Sequence, residues 1–227
     1  MSDALRSLVW TLVFYIGSVP VVTAAAIGAL ISPRAVNRMA RLWAGWFLLT
    51  TDRILGIKLR VVGEVPQTGV IVAIKHQSAY ETILTLWLFD SPAVVMKAEL
   101  HAIPVWGFAA RRHGTIPVDR DGATTAMRTM LRAAQAARDA GRPIVIFPEG
   151  TRTLPGTAPP LQPGLAGLYR TLRVPLVPVA CDSGRCWPRG WVKHAGVVTL
   201  RFLPAIPPGL DREAIEPAVH AAINRVA

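Results

Sequence analysis

The chain has 227 residues, enough for one sizeable α/β domain and too few for two full ones. Its apolar fraction is 52% against only 17% charged residues, a greasy balance for a freely soluble enzyme. The charge is lopsided, 25 Lys+Arg against 14 Asp+Glu for a formal net +11, and such a surplus implies an anionic partner. Nucleic acid is set aside because no basic helix, zinc-finger spacing or RNP-type aromatic motif is present. The seven Trp and a long uncharged segment point instead to an acidic membrane surface, beside a phosphorylated ligand.

At the amino end, residues 8 to 31 (LVWTLVFYIGSVPVVTAAAIGALI) carry no charge over 24 positions, more than the roughly 20 residues that cross a bilayer core. A signal peptide is the competing reading, but the region before it holds one Arg and one Asp, and the apolar run is long for such a peptide. Arg34, Arg38 and Arg41 follow the segment and only Arg6 precedes it, so the positive-inside rule places the rest of the chain in the cytoplasm, on the inner membrane. Gly17 and Pro20 allow a kink or a re-entrant hairpin. Residues 39 to 57 place Trp43, Trp46, Phe47 and Ile54 among Arg41 and Arg53, the pattern of an amphipathic helix lying in a membrane interface. Two core helices of a soluble bundle would show the same composition. Residues 1–57 are thus expected to form membrane-associated helices and residues 58–227 an α/β domain.

Beyond Gly56, short β-branched runs alternate with helix-like stretches. The runs are KLRVVG, GVIVAIK, AVVMK, TIPVD, RPIVIFPEG, PLVPVA and VVTLRFL. The helical stretches are AYETILTLWLF, IPVWGFAARR, GATTAMRTMLRAAQAARDAG and DREAIEPAVHAAINRV. This alternation predicts an α/β fold with a mostly parallel sheet flanked by helices, preceded by the hydrophobic helical segment. Ligands of such sheets gather at the carboxyl ends of the strands. Cys181 and Cys186 match neither a disulfide framework nor a zinc site and read as reduced thiols. No residue cluster calls for a metal.

Three strand tips carry chemistry. GVIVAI runs into Lys75 and His76, with Glu81 five positions further on. Five residues on one α-helix would separate the two by about 140°, so they meet only if His76 sits in the turn and Glu81 on the first turn of the next helix. Ser78 is then placed as an N-cap. A glutamate accepting from one imidazole nitrogen leaves the other free as a base; taken alone, such a pair is as well explained as a structural contact. RPIVIF runs into Pro148, Glu149, Gly150, Thr151 and Arg152, which collects a carboxylate, a pliable turn, a hydroxyl and a guanidinium at one tip. GTIPV ends at Asp119 and Arg120, and Arg120 offers a planar fork suited to phosphate. One such tip is an ordinary solvated turn; three in one domain are not.

The blocks His76 to Glu81, Gly114 to Arg120, Phe147 to Arg152 and Val177 to Val179 resemble, in order and spacing, the glycerolipid acyltransferases of the PlsC type. Lys97 in MKAEL matches a lysine common there. The resemblance implies transfer of a fatty acyl group from acyl-CoA or acyl-ACP to the sn-2 hydroxyl of lysophosphatidic acid, with no cofactor. His76 and Glu81 would form the base dyad. Ser78, Lys97, Arg120, Glu149, Gly150, Thr151, Arg152 and Pro178 would border the substrates. Two positions at the dyad depart from the family pattern: Lys75 stands where Asn is usual, and Glu81 where Asp is usual. Gln162-Pro163-Gly164 replaces a common Lys-Lys-Gly. The alternatives are the same chemistry on another lysolipid, such as a lyso-ornithine lipid, or a silent membrane lipid-binding protein.

Overall fold

The structure, a computed structural model, describes residues 2–118 and 123–225. Two long helices come first, α1 (Asp3–Ile31) and α2 (Pro33–Thr50). Then follow β1 (Ile57–Val62), β2 (Ile71–Ile74), α3 (Tyr80–Leu88), β3 (Ala93–Lys97), α4 (Trp106–His113), β4 (Ile116–Val118) and α5 (Ala123–Asp139). The chain ends with β5 (Ile144–Ile146), α6 (Gly164–Leu172), β6 (Leu176–Cys181), β7 (Gly196–Phe202) and α7 (Arg212–Ile223). All seven runs read as strands become strands. They form one sheet in the order β1-β7-β6-β2-β5-β3-β4. Every pairing is parallel except β6 with β7.

The central strands are buried on both faces, and their period of two divides the core. Val72 and Ile74 of β2 and Val145 of β5 face a cluster with Trp10, Phe14, Phe47, Tyr80 and Leu84, from α1, α2 and α3. Ile71, Ala73, Ile144 and Ile146 face the opposite cluster, with Met130, Leu165, Leu168 and Val219 from α5, α6 and α7. Truncating one of these isoleucines to alanine is worth about 2–5 kcal/mol of stability.

The amino-terminal helices differ from the expectation in two ways. α1 is continuous through Pro20, so residues 8–31 contain no re-entrant break. It is a helix long and apolar enough to cross a membrane. α2 starts at Pro33, capped by the Ser32 hydroxyl, and ends in a π-turn, Thr51–Leu55, that Gly56 terminates in a left-handed conformation. It begins and ends earlier than the expected 39–57, and its aromatic residues make contacts within the protein while Leu42 and Leu49 stay exposed. Phe47 is fully buried, Trp43 donates to Ser18 Oγ (2.9 Å), and Trp46 donates to the Phe14 carbonyl (3.3 Å). Gly17 is what lets the two helices close, because a Cβ there would lie 2.6 Å from Trp46 Cζ2. The helix α6 was not foreseen; its glycines and the Pro/Gly-rich loop before it mask the helical period.

Candidate active site

β2 lies at the centre of the sheet, and its last residue, Ile74, delivers Lys75 and His76 to the carboxyl end, where the chain turns into α3. Glu81 stands in the first turn of α3. Its Oε1 lies 3.0 Å from His76 Nδ1. The same oxygen accepts from the Gln77 and Ser78 amides, at 2.6 and 2.7 Å. Reaching back from Glu81 to the Ser78 amide is one arm of a capping box, so a local helix-start signal also builds the dyad. The hydroxyls of Ser78 and Ser183 approach Oε2 at 2.7 and 2.5 Å. Ser78 Oγ also accepts from the Tyr80 amide (3.0 Å), but the N-cap of α3 is Ala79, one residue later than expected, and it has no side-chain cap.

Glu81 is fully buried. Burial alone would raise its pKa, yet the hydrogen bond and charge of His76, with the bonds from Ser183 and Ser78, outweigh it and hold the carboxyl below its ordinary 4.5. An ionised carboxylate only accepts, so the shared proton is assigned to Nδ1, leaving Nε2 with its lone pair free. The His76 side chain keeps 15% exposure, in contrast to Glu81 at 0%. Its ring lies against Phe147, with centroids 4.4 Å apart. The arrangement is a proton acceptor with one accessible nitrogen, held in one tautomer.

The F-P-E-G-T-R turn after β5 locks onto this turn. Glu149 Oε2 accepts from the His76 amide (3.0 Å), and Oε1 pairs with Lys75 Nζ at 2.8 Å. Lys75 also donates to the Thr157 carbonyl (2.8 Å) and to Asn224 Oδ1 (2.6 Å). Lys75 thus makes two hydrogen bonds and one charge contact; the contact neutralises the buried ammonium, although its angle leaves Glu149 Oε1 without a hydrogen bond. Thr153 donates both its amide (2.7 Å) and its hydroxyl (3.0 Å) to the His76 carbonyl. Gly150 takes φ +70° in the tight turn, and Thr151 and Arg152 are exposed at its rim.

Among the residues singled out from the sequence, His76, Ser78, Glu81 and Glu149 converge. Ser78 and Glu149 are buried at 2% exposure, and their polar atoms are spent on the dyad and its turn. Gly150, Thr151 and Arg152 form the neighbouring rim. Pro178 lies within β6, its register partner Ala73 being in β2. Lys97 stands further along the sheet, on β3 with β5 between it and β2, half exposed and 3.8 Å from Glu99. Arg120 and Asp119 lie outside the described residues. Sequence reasoning missed Ser183, Gln77, Lys75 as a site residue, and Asn224. Ser183 lies two residues beyond β6, so a strand-tip search would have reached it; Asn224, past the end of α7, leaves no such signal.

A profile of the family described as Acyltransferase matches residues 58–182, more than half of the chain. The 1-acyl-sn-glycerol-3-phosphate acyltransferase of Pseudomonas aeruginosa is 28% identical over 186 residues, which is 81% of this chain and 71% of that one. The protein of that name from Limnanthes douglasii is 27% identical over 67% of this chain, and the match spans 56% of its own length. The crystal structure of the LPA acyltransferase PlsC from Thermotoga maritima superposes with a TM-score of 0.75 at 23% identity, covering 99% of this chain and 95% of that one. It shares the fold. With the dyad at the tip of β2 and F-P-E-G-T-R at the tip of β5, the chain belongs to the acyltransferase family.

Proposed function

We propose that the protein moves a fatty acyl group from the thioester of acyl-CoA or acyl-ACP to the free sn-2 hydroxyl of lysophosphatidic acid, giving phosphatidic acid. The observation that carries this reading is the 3.0 Å contact of His76 Nδ1 with a buried, ionised Glu81, which leaves Nε2 free as a base on a partly exposed side chain. Nε2 removes the hydroxyl proton as that oxygen attacks the thioester carbonyl. Glu81 stabilises the imidazolium so formed. The tetrahedral intermediate then collapses: the C–O bond is kept, the C–S bond breaks, and the departing sulfur takes the proton from Nε2. No acyl-enzyme is required, and the dyad performs the proton transfer without a resident cofactor or metal.

The substrate groups fall to the rim. Arg152 suits the acceptor phosphate, with Thr151 and the Gly150 turn beside it; Arg120 is assigned to the same phosphate from the family resemblance alone, and Lys97 to the oxyanion. An apolar cavity of about 160 Å³ bordered by Trp43, Ile83, Met96 and Trp106 adjoins the first turn of α3 and suits an acyl chain. The exposed apolar side chains of α1 support attachment to an anionic membrane, and the arginines after it support a cytoplasmic domain on the inner membrane.

The test is thiol release from palmitoyl-CoA by membranes carrying the protein, with lysophosphatidic acid added or omitted, for the native chain and His76→Ala. Acceptor-dependent release that vanishes in the variant supports the reading. Release with lyso-ornithine lipid alone would reassign the acceptor. No release with either acceptor, from CoA or acyl carrier protein donors, would leave a lipid-binding protein.

A further inference from the structure

A second basic site lies at the other end of the sheet. A cavity of about 710 Å³ opens where β2, β3 and β5 begin, between those strand starts and α2. Arg34, Arg38 and Arg41 line it from successive turns of α2, and Arg142 lines it from the turn before β5. Asp90 is the one acidic residue among the lining residues. Among the described residues, none of these four arginines has a carboxylate within ion-pair distance.

Arg34, Arg38 and Arg41 are exposed, with Arg41 over the Trp87 ring, so water tolerates the arrangement, but four cations around one cavity favour an anion there. Like charges three and four apart on a helix repel, and the three arginines stand toward the positive end of the α2 dipole, whose first turn has no acid. Arg142 donates to the carbonyls of Ser91, Pro92, His113 and Gly114, which employs four of its five N–H groups and leaves its charge without a counter-ion. A second observation points into the same cavity. His113 borders it at 7% exposure, with Nδ1 buried and without a partner. A buried imidazole nitrogen without a hydrogen bond is costly, and His113 stands on the wall shared with the apolar cavity, so a turn of its ring is needed before an anion's oxygen can satisfy it.

The occupant's chemistry follows from the donors. Guanidinium forks and an imidazole N–H match a phosphate group, and the volume lies in the range of small-molecule sites. Leu86 and His113 are walls shared with the apolar cavity between α2, α3 and α4. The four residues of β2, at roughly 3.3 Å each, put about 13 Å of strand between this cavity and the dyad. A lysolipid phosphate held here could not present its own hydroxyl to His76.

We propose that the arginine cavity is a phosphate-binding site separate from the acyl-transfer site, and that it takes the phosphate of a membrane phospholipid or a free phosphate. Arg34 and Arg38 are exposed, so neutralising them leaves the core intact. The experiment follows thermal stabilisation of the detergent-solubilised full chain by inorganic phosphate at constant ionic strength, together with flotation on phosphatidylcholine vesicles with and without phosphatidic acid. The double variant Arg34→Gln/Arg38→Gln should weaken phosphate binding by about tenfold or more, and that loss should persist when Arg152→Gln, which removes a phosphate donor at the acyl-transfer site, is present in both chains compared. A Lys58→Gln/Arg60→Gln chain, losing the same charge on exposed β1 positions, should behave as native. Loss of both phosphate binding and vesicle preference in the α2 variant identifies a lipid phosphate; loss of phosphate binding alone identifies the free ion. The proposal is overturned if phosphate does not stabilise the native chain, if the α2 variant binds as native, or if the β1 control loses as much.

Discussion

Lys75 and Glu149 form an ion pair, Nζ to Oε1 2.8 Å, with side-chain exposures of 3% and 0%. It joins the residue preceding His76 to the acid of F-P-E-G-T-R. The lysine in place of the family's usual asparagine is therefore accommodated: its charge is matched by Glu149, the Thr157 carbonyl and Asn224. Glu149, in turn, holds the His76 amide (3.0 Å), so the pair sets the path of the backbone that presents the imidazole.

Breaking that pair should be expensive on one side only. Lys75→Met leaves a buried carboxylate alone and should cost about 3–5 kcal/mol. Adding Glu149→Gln, which keeps an acceptor for the His76 amide, should recover part of it. Chemical denaturation of the two variants in detergent checks this. A single variant as stable as the native chain would mean water reaches the site.

Glu81→Gln keeps the side-chain shape but removes the charge that stabilises the imidazolium, and it should cut kcat by about 100-fold or more with KM for the acceptor nearly unchanged. Glu81→Asp is the finer probe. The five donors around the carboxylate are placed for the longer side chain, so Asp should retain activity only where α3 can move toward His76. Acceptor-dependent thiol release reads both. Full activity in Glu81→Gln would remove the dyad from the mechanism.

In the proposed mechanism Ser183 is a positioning residue, acting through its 2.5 Å hydrogen bond to Glu81. Ser183→Ala deletes a hydrogen bond to a buried carboxylate, worth about 1.5–3 kcal/mol, and raises the Glu81 pKa because that bond favours the ionised form. The acid limb of the pH–rate profile should move to higher pH, and Ser183→Thr should restore it. A fall in rate with no shift of the limb would mean a purely structural role.

His113 makes stability depend on mild acid. Burial, reinforced by the charge of Arg142, lowers its pKa from 6.5 to about 4. Between those values the unfolded chain binds a proton that the folded one refuses, so stability is full above pH 6.5 and falls as pH drops toward 4. The loss should amount to about 3 kcal/mol. Denaturation across that range for the native chain and His113→Leu tests it, and the variant should lack this slope.

Local physics determined much of this protein before any coordinates. The short β-branched runs read as strands, so all seven were legible, and the rule that chemistry gathers at strand tips selected His76, Glu81 and Glu149. The geometry of one turn dictated that His76 and Glu81 meet across a strand-to-helix junction, and they do, at 3.0 Å. What periodicity cannot carry is distance along the chain. Ser183, 102 positions from Glu81, completes the carboxylate's shell only because β6 pairs with β2 and brings the two tips side by side. Asn224 and Thr157 find Lys75 for the same reason, through packing of α7 and the loop before α6. The aromatic face of α2 looked like a membrane surface because its composition is that of one. The sequence does not say what covers an apolar stripe; the close approach of α1 at Gly17 decides that Trp43, Trp46 and Phe47 face protein.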